Sequence, residues 1–232
     1  MRLLPILTVP RSGSEVFCNA LRDGGLRCAY EINHPAYRKL LAQEFSADLE
    51  SMDLQATLKY LSNLAPDDNG MAYKVFYSDS HSVPIEALVA DITPIYLERF
   101  DFVSQVVSFV AMWTSGHALD DVRHTFRSRS RGLDEDLVKA SIAFLRHERR
   151  MWARKLARQN VLRIQTETLF DDPVSVFQRV ASTLATYGIV FDWKLASSSI
   201  RKTRPYDQDA ELKAQVRADY AHLLNPLNVA AI

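Results

Sequence analysis

The stretch LLPILTVPRSGSEVFCNALR, residues 3–22, decides the fold that the sequence predicts. Leu3 to Val9 is an apolar run of strand length, as expected for a strand covered on both faces in a parallel sheet. A polar turn follows this run. From Ser14 to Arg22 the apolar residues recur at helical spacing, and the glycine pair Gly24 and Gly25 ends that pattern. Strand, turn and helix in this order form the first unit of an α/β fold.

The rest of the chain continues the alternation of strands and helices. Further strands are predicted at Met71 to Tyr77, Thr93 to Glu98 and Val161 to Gln165. The helical stretches between them are long enough to cross over a sheet. These elements predict an α/β protein in which helices flank a central parallel sheet, with a single domain over residues 1–232.

Two segments of the second half bear on function. A long helix is predicted from the apolar spacing between Val138 and Leu156, and its basic residues, Arg149 and Lys155 among them, are interpreted as a solvated face. The polar stretch from Ser197 to Asp209 is interpreted as a loop.

The composition argues against several classes of function. The chain of 232 residues carries 28 Lys and Arg against 28 Asp and Glu, so no overall positive field attracts nucleic acid or an anionic membrane. No apolar run reaches the roughly 20 residues of a membrane span, and the stretch after Arg2 is too short for a signal peptide. Cys18 and Cys28 lack metal-site spacing, which favours reduced thiols. We expect a cytoplasmic protein that binds no nucleic acid.

The turn between the first strand and the first helix has the residues of an anion site. Unpaired backbone N–H groups and the positive end of the helix dipole meet there. Arg11 offers charged donors, and Ser12 and Ser14 offer hydroxyls. Gly13 lets the backbone approach an anion closely. A turn with a serine N-cap is an equal alternative. No Gly-x-x-x-x-Gly-Lys-Ser/Thr motif occurs, which disfavours an ordinary P-loop triphosphatase.

A second polar cluster follows the strand predicted at 93–98. The helix after it is strongly apolar except for one stripe, which consists of Asp101, Ser104, Gln105 and Ser108. Buried polar groups of this kind need partners. In one interpretation Asp101 is an N-cap and the serines bond back to the backbone. In the other the stripe lines a pocket for a second anion, with Arg99 supplying the charge.

The two clusters together resemble a known family. Thr8 to Cys18 is similar to the 5′-phosphosulfate loop of the trehalose 2-sulfotransferase family, whose pattern is Pro-Arg-Ser-Gly-Ser-Thr followed by two apolar residues and cysteine. The spacing from Arg99 to Ser108 resembles the 3′-phosphate motif of that family. Smaller points of resemblance are Lys74, Glu148 with Trp152 on the long helix, and the segment from Glu167 to Pro173, so the similarity spans most of the chain.

The resemblance implies a three-layer fold like that of the P-loop nucleotide kinases, with a central parallel sheet. It implies transfer of a sulfuryl group from 3′-phosphoadenosine-5′-phosphosulfate to a hydroxyl of a carbohydrate or other small-molecule acceptor, with no metal. Arg11 and Ser14 would stabilise the charge that builds on the leaving oxygen. Ser12 and Gly13 would complete the donor loop around them.

The resemblance also indicates which residues would bind the 3′-phosphate end of the donor and which would be the general base. The 3′-phosphate would lie against Arg99 and Ser108, while Arg204 belongs to a basic segment that would fold over the nucleotide. Glu31 is the proposed base, since a partly desolvated carboxylate has a raised proton affinity that suits proton abstraction near neutral pH. His34 is a competing base, because histidine titrates near neutral pH, or a loop residue without a catalytic contact.

His34 and Lys74 are assigned to the acceptor side of the predicted site. Glu15 departs from the family pattern, which usually has threonine there; its carboxylate either points away, as an N-terminal helix residue, or repels the bound dianion. Three functions therefore compete: a sulfotransferase, a catalytically inactive nucleotide-binding or scaffold protein of the same fold, and a phosphoryl transferase without its usual lysine. A homodimer is a possible assembly.

Overall fold

The structure is a computed structural model that describes residues 2–64, 70–80, 83–89, 92–115, 134–200 and 208–224. In this part of the chain five strands form one sheet with the order β2-β3-β1-β4-β5, and every neighbouring pair is parallel. The strands are β1 (Leu3–Thr8), β2 (Arg27–Glu31), β3 (Met71–Phe76), β4 (Ile95–Glu98) and β5 (Leu162–Gln165). The predicted parallel sheet is confirmed.

Twelve helices are seen among the described residues. The first six are α1 (Ser14–Asp23), α2 (Pro35–Phe45), α3 (Leu54–Ser62), α4 (Tyr77–Ser80), α5 (Ile85–Val89) and α6 (Phe102–Ser115). The others are α7 (Glu135–Lys155), α8 (Thr166–Asp171), α9 (Pro173–Ala185), α10 (Trp193–Ser199), α11 (Gln208–Asp219) and α12 (Ala221–Leu224). None of the described helices combines the length and the apolar character needed to cross a membrane.

The core consists of two apolar clusters, one on each face of the sheet. Leu7 of β1 belongs to the cluster that contains Trp152 of α7, whereas the adjacent Ile6 belongs to the cluster that contains Phe17 and Phe177. Successive residues of a strand point to opposite faces, so the continuous apolar run of β1 serves both clusters. Helices therefore cover both faces, and the expected three-layer arrangement is confirmed.

The four predicted strands are present, and one strand was missed. Met71–Phe76 and the other three lie within two residues of their predicted bounds. The missed strand is β2, Arg27–Glu31. Among the described strands it pairs with β3 alone and so lies at an edge of the sheet. Its sequence, RCAYE, mixes charged and apolar residues, and only Ala29 is fully buried. An edge strand of five residues without a clear alternation is hard to predict from periodicity.

The loop predicted from Ser197 to Asp209 is wrong at both ends. Residues 197–199 belong to α10. The Asp192 side chain caps the start of that helix by accepting from the N–H groups of Lys194 and Leu195. Residue 208 already begins α11. Residues 201–207, which include Arg204, lie outside the described part of the chain, so the structure does not place Arg204.

Candidate active site

The turn after β1 has an unusual backbone. Arg11 adopts φ 63° and Gly13 adopts φ 76°, both in the left-handed region. Ser12 between them is fully buried, and its hydroxyl hydrogen-bonds to the Thr8 hydroxyl. Gly13 is the N-cap of α1, and among the described residues no side chain caps this helix. The serine N-cap considered above is therefore wrong. The first amides of α1 are left without a side-chain acceptor, as an anion site requires.

Thr166, the first residue of α8, contacts the turn after β1. Its hydroxyl lies within hydrogen-bond distance of the carbonyls of Ser12 and Glu98. A Cβ placed on Gly13 would lie 2.8 Å from the Thr166 Cγ2 atom. The left-handed backbone and this close approach each favour glycine at position 13.

Arg11 joins the two predicted anion motifs. Its Nε donates to the Ser108 Oγ over 2.9 Å, across 97 residues of sequence. An Nη atom of Arg99 donates to the Arg11 carbonyl over 3.4 Å. Burial lowers the pKa of the Arg11 guanidinium, and the nearby charge of Glu15 opposes that shift. The structure thus brings Arg11, Arg99 and Ser108 together.

Two carboxylates bind backbone N–H groups at the N-terminus of α6. Asp101 caps this helix by accepting from the Ser104 N–H over 3.0 Å and from the Ser104 hydroxyl. The Glu167 carboxylate accepts from the N–H groups of Phe100 and Asp101, both over 3.0 Å. The capping interpretation of Asp101 is confirmed. A phosphate beside α6 would have to rely on side chains such as Arg99 and Ser108.

Asp101 is held in its charged form by these contacts. Burial alone would raise its pKa, but the hydrogen bonds from the Ser104 side chain and backbone, together with the charge of Arg99, lower the pKa below the ordinary 3.8. The cap therefore stays ionised at neutral pH and complements the positive end of the helix dipole.

Glu31 and Lys74 form an ion pair at the carboxyl ends of β2 and β3. The two residues are register partners in the parallel sheet. The Lys74 Nζ lies 2.7 Å from the Glu31 Oε1, and the Lys74 side chain is only 7% exposed, against 29% for Glu31. The better exposed carboxylate can therefore face a substrate while the lysine supports it from within. Asp79 lies nearby: burial and the charge of Glu31 raise its pKa.

His34 has a structural role as the N-cap of α2. Its Nδ1 accepts from the Ala36 N–H over 3.3 Å, and its ring packs edge-on against Tyr37 with 5.7 Å between centroids. The Nδ1 lone pair is thus occupied by the helix end. His34 is exposed and follows Glu31 by three residues in the sequence.

Glu148 and Trp152, two points of resemblance on the long helix, contact backbone at the ends of two strands. The Glu148 carboxylate accepts from the N–H groups of Tyr77 and Ser78 over 3.0 and 2.8 Å, and burial raises its pKa. The Trp152 Nε1 donates to the Thr8 carbonyl over 2.9 Å. Both residues therefore hold backbone at the carboxyl ends of strands β1 and β3.

The solvated-face interpretation of α7 is wrong for two basic residues. The Lys155 Nζ donates to the carbonyls of Ser80 and Val83 over 2.8 and 2.7 Å. The Arg149 guanidinium donates to Gln105 and to the Arg99 carbonyl. A signal was present in the sequence, because Arg149 lies within the same helical stripe as Leu145 and Trp152.

A model of the Stf0 sulphotransferase family matches residues 45–192, which is more than half of the chain. The chain belongs to this family. This confirms the resemblance to the trehalose 2-sulfotransferase family that the sequence carries. The matched span contains Lys74 and the segment from Arg99 to Ser108, while the turn after β1 and Glu31 precede it.

Solved structures agree with the sulphotransferase fold. Sulfotransferase STF9 from Mycobacterium avium is 16% identical with a TM-score of 0.51, covering 97% of this chain and 77% of that one. A sulfotransferase domain from the curacin biosynthetic pathway is 15% identical with a TM-score of 0.50, covering 94% of this chain and 97% of that one. At these identities the similarity shows the fold, and it confirms the expected P-loop-like architecture. No curated protein sequence matches the chain.

Proposed function

We propose that this sulphotransferase family member transfers a sulfuryl group from 3′-phosphoadenosine-5′-phosphosulfate to a hydroxyl of a carbohydrate or other small-molecule acceptor. The observation that carries the proposal is the 2.9 Å hydrogen bond from Arg11 to Ser108. It joins a turn with uncapped helix amides to a helix that starts beside Arg99. Two neighbouring cationic groups at the carboxyl edge of a parallel sheet suit a donor that carries anionic groups at both ends.

The donor would lie across this junction. The amides of α1 with Arg11 and Ser14 would face the phosphosulfate, and Arg99 with Ser108 would face the 3′-phosphate. In the reaction the acceptor oxygen forms a bond to sulfur while the bond from sulfur to the bridging oxygen breaks. Negative charge builds on that bridging oxygen, where donors already in place stabilise it electrostatically. The leaving group is adenosine 3′,5′-bisphosphate.

Glu31 would take the proton of the acceptor hydroxyl. Lys74 holds the Glu31 Oε1 at 2.7 Å, which orients the carboxylate. A general base must be oriented within hydrogen-bond reach of the proton before its proton affinity can affect the rate. Lys74 would thus act on the acceptor side through Glu31.

An inactive relative of the same fold is the second candidate, and Glu15 is the observation that favours it. The Glu15 carboxylate is close enough to Arg11 to stabilise its cationic form. It would compete with the donor for the same guanidinium. Phosphoryl transfer has no such support, because the turn after β1 carries no lysine.

Ligand-induced stabilisation tests the donor assignment. Adenosine 3′,5′-bisphosphate at about 100 times its Kd contributes about 2.7 kcal/mol, which corresponds to roughly 5–10 °C in Tm for a chain of this size. Arg99→Ala should weaken this ligand much more than adenosine 5′-phosphate, since only the first has a 3′-phosphate. Arg154→Ala, an exposed position on α7, is the control. A wild-type melting curve that millimolar ligand leaves unchanged would contradict the proposal.

Glu31→Gln separates the enzyme from the inactive relative. Glutamine keeps an oxygen for Lys74 but cannot accept a proton, so turnover of labelled donor should fall about 10²- to 10⁴-fold. The Kd of adenosine 3′,5′-bisphosphate should stay within about twofold. Glu44→Gln, at an exposed position of α2, controls for loss of a carboxylate.

Two results would count against this assignment. Turnover within threefold of wild type would remove Glu31 as the base. Tight donor binding by the wild type, without turnover on a broad panel of hydroxyl acceptors, would favour the inactive relative.

A further inference from the structure

We propose that Arg149 of α7 is a positioning residue that sets both anion-binding parts of the site, and that it acts through Gln105 of α6. The inference rests on the proposed function, because the site it positions is the donor site. Arg149 does not touch the turn after β1 itself. It donates to the Gln105 side chain, which in turn donates to the turn. It also donates directly to the Arg99 carbonyl.

Arg149 makes its contacts with a largely buried guanidinium. Its Nε donates to the Gln105 Oε1 over 3.1 Å, and its Nη2 donates to the same oxygen over 2.5 Å. The Nη2 also donates to the Arg99 carbonyl. The guanidinium carbon lies 4.7 Å from the centroid of the Phe102 ring. Burial lowers the pKa of Arg149, and the nearby charges of Glu98 and Glu167 oppose that shift.

The arginine determines which way the Gln105 amide faces. A guanidinium has only donors, so the atom of Gln105 that meets it must be the amide oxygen. The amide nitrogen is then turned to the opposite side, where it donates to the Pro10 carbonyl over 2.6 Å. Gln105 is fully buried, so water cannot replace either partner at low cost.

The Pro10 carbonyl lies where the turn after β1 changes direction. In a trans peptide the carbonyl and the following N–H point in opposite directions. A Pro10 carbonyl held by Gln105 therefore directs the Arg11 N–H away from α6. Arg11 adopts φ 63°, which a non-glycine residue keeps only when its surroundings hold it there. The bond from Gln105 is one such constraint.

The same arginine fixes the other anion-binding residue. Its contact with the Arg99 carbonyl holds the backbone of Arg99, whose side chain reaches the Arg11 carbonyl over 3.4 Å. Arg149 thus supports both the turn after β1, which would meet the phosphosulfate, and Arg99, which would meet the 3′-phosphate. Displacing Arg149 should disturb both ends of the donor together.

Gln105→Glu is the decisive variant. Glutamate keeps the shape of the side chain and still accepts from Arg149, so the link between α6 and α7 survives. It has no N–H, so it sets an oxygen against the Pro10 carbonyl and breaks the second link alone. We expect the variant to stay folded with a lowered melting temperature, and to bind adenosine 3′,5′-bisphosphate about tenfold more weakly. Adenosine 5′-phosphate, which uses the turn but not Arg99, should lose affinity by a similar factor.

Variants at Arg149 provide the second measurement. Arg149→Met keeps the packing on Phe102 but makes none of the hydrogen bonds, and it should weaken adenosine 3′,5′-bisphosphate more than Gln105→Glu does. Arg149→Lys retains a donor and should recover part of the loss. In turnover, the KM for the donor should rise in all three variants while the KM for the acceptor stays constant. Arg154→Met, on the exposed side of α7, should change neither.

The outcomes separate this inference from the proposed function. If the wild type does not bind adenosine 3′,5′-bisphosphate, the proposed function falls and the inference falls with it. If the wild type binds and Gln105→Glu binds equally well, only the inference is overturned. If the variants lose thermal stability but keep their affinity for adenosine 3′,5′-bisphosphate, Arg149 contributes to folding alone. That result also overturns the inference.

Discussion

A methyl group added at Gly13 would test how tightly the turn after β1 is held. The substitution Gly13→Ala meets two obstacles, a left-handed φ of 76° and a distance of 2.8 Å from the new Cβ to the Thr166 Cγ2. The backbone conformation alone costs about 1–2 kcal/mol for a residue with a Cβ. We expect Gly13→Ala to lower the free energy of unfolding by at least that amount in urea denaturation, and to weaken adenosine 3′,5′-bisphosphate.

The double variant Gly13→Ala with Thr166→Ser separates the two causes. Serine removes the Cγ2 atom that the new Cβ would strike, but it keeps the hydroxyl near the carbonyls of Ser12 and Glu98. Stability should be partly restored, because only the steric part is relieved. An alanine at position 13 that is fully tolerated with Thr166 intact would show that the turn is not held as described.

Residue types and spacing pointed to three residues that the structure brings together at the candidate site. Arg11, Arg99 and Ser108 were predicted from local patterns, since each belongs to a short motif directly after a strand. Gln105 was part of the polar stripe, but its partners Pro10 and Arg149 could not be found that way. They meet across 95 and 44 residues of sequence, and the pairing depends on how α6 and α7 pack.

At the scale of helices, the cap of α6 gives a prediction about pH. The pKa of Asp101 is lowered in the folded protein, so its contribution to stability is complete above the ordinary value of 3.8 and is lost as the pH falls through the folded value. Asp101→Ala should cost about 1 kcal/mol at pH 7. Urea denaturation at several pH values should show the difference between wild type and variant shrinking below about pH 4. A difference that grows with acidity would contradict the cap.

The elements differed in how well the sequence predicted them. The buried strands β1 and β3 stand out as apolar runs because both of their faces are covered. The edge strand β2 does not, and it carries Glu31, so the pairing of Glu31 with Lys74 could not be anticipated. Its register follows from a sheet order that places β3 between β1 and β2, which no local pattern specifies.

At the scale of the whole molecule, the two apolar clusters should unfold together. They share the strands of one sheet, so neither can lose its packing without exposing the other. We predict a single transition for the domain, with equal calorimetric and van't Hoff enthalpies. Two local probes can test this. Trp152 fluorescence in a Trp113→Phe, Trp193→Phe variant reports one face, and labelling of the buried Cys18 thiol in a Cys28→Ser variant reports the other. Separate midpoints would show two independent units.

The contact between Thr166 and the turn after β1 has a consequence for synthesis on the ribosome. Thr166 is translated 154 residues after Ser12. At roughly 5–20 residues per second, on the order of ten seconds pass between the synthesis of Ser12 and that of Thr166. Gln105 and Arg149 are also translated after the turn, so the restraints that depend on them cannot act on the left-handed turn until those residues have been made. Ligand affinity should therefore be gained only after β5 and α8 have left the exit tunnel. Stalled nascent chains of increasing length would reveal that step.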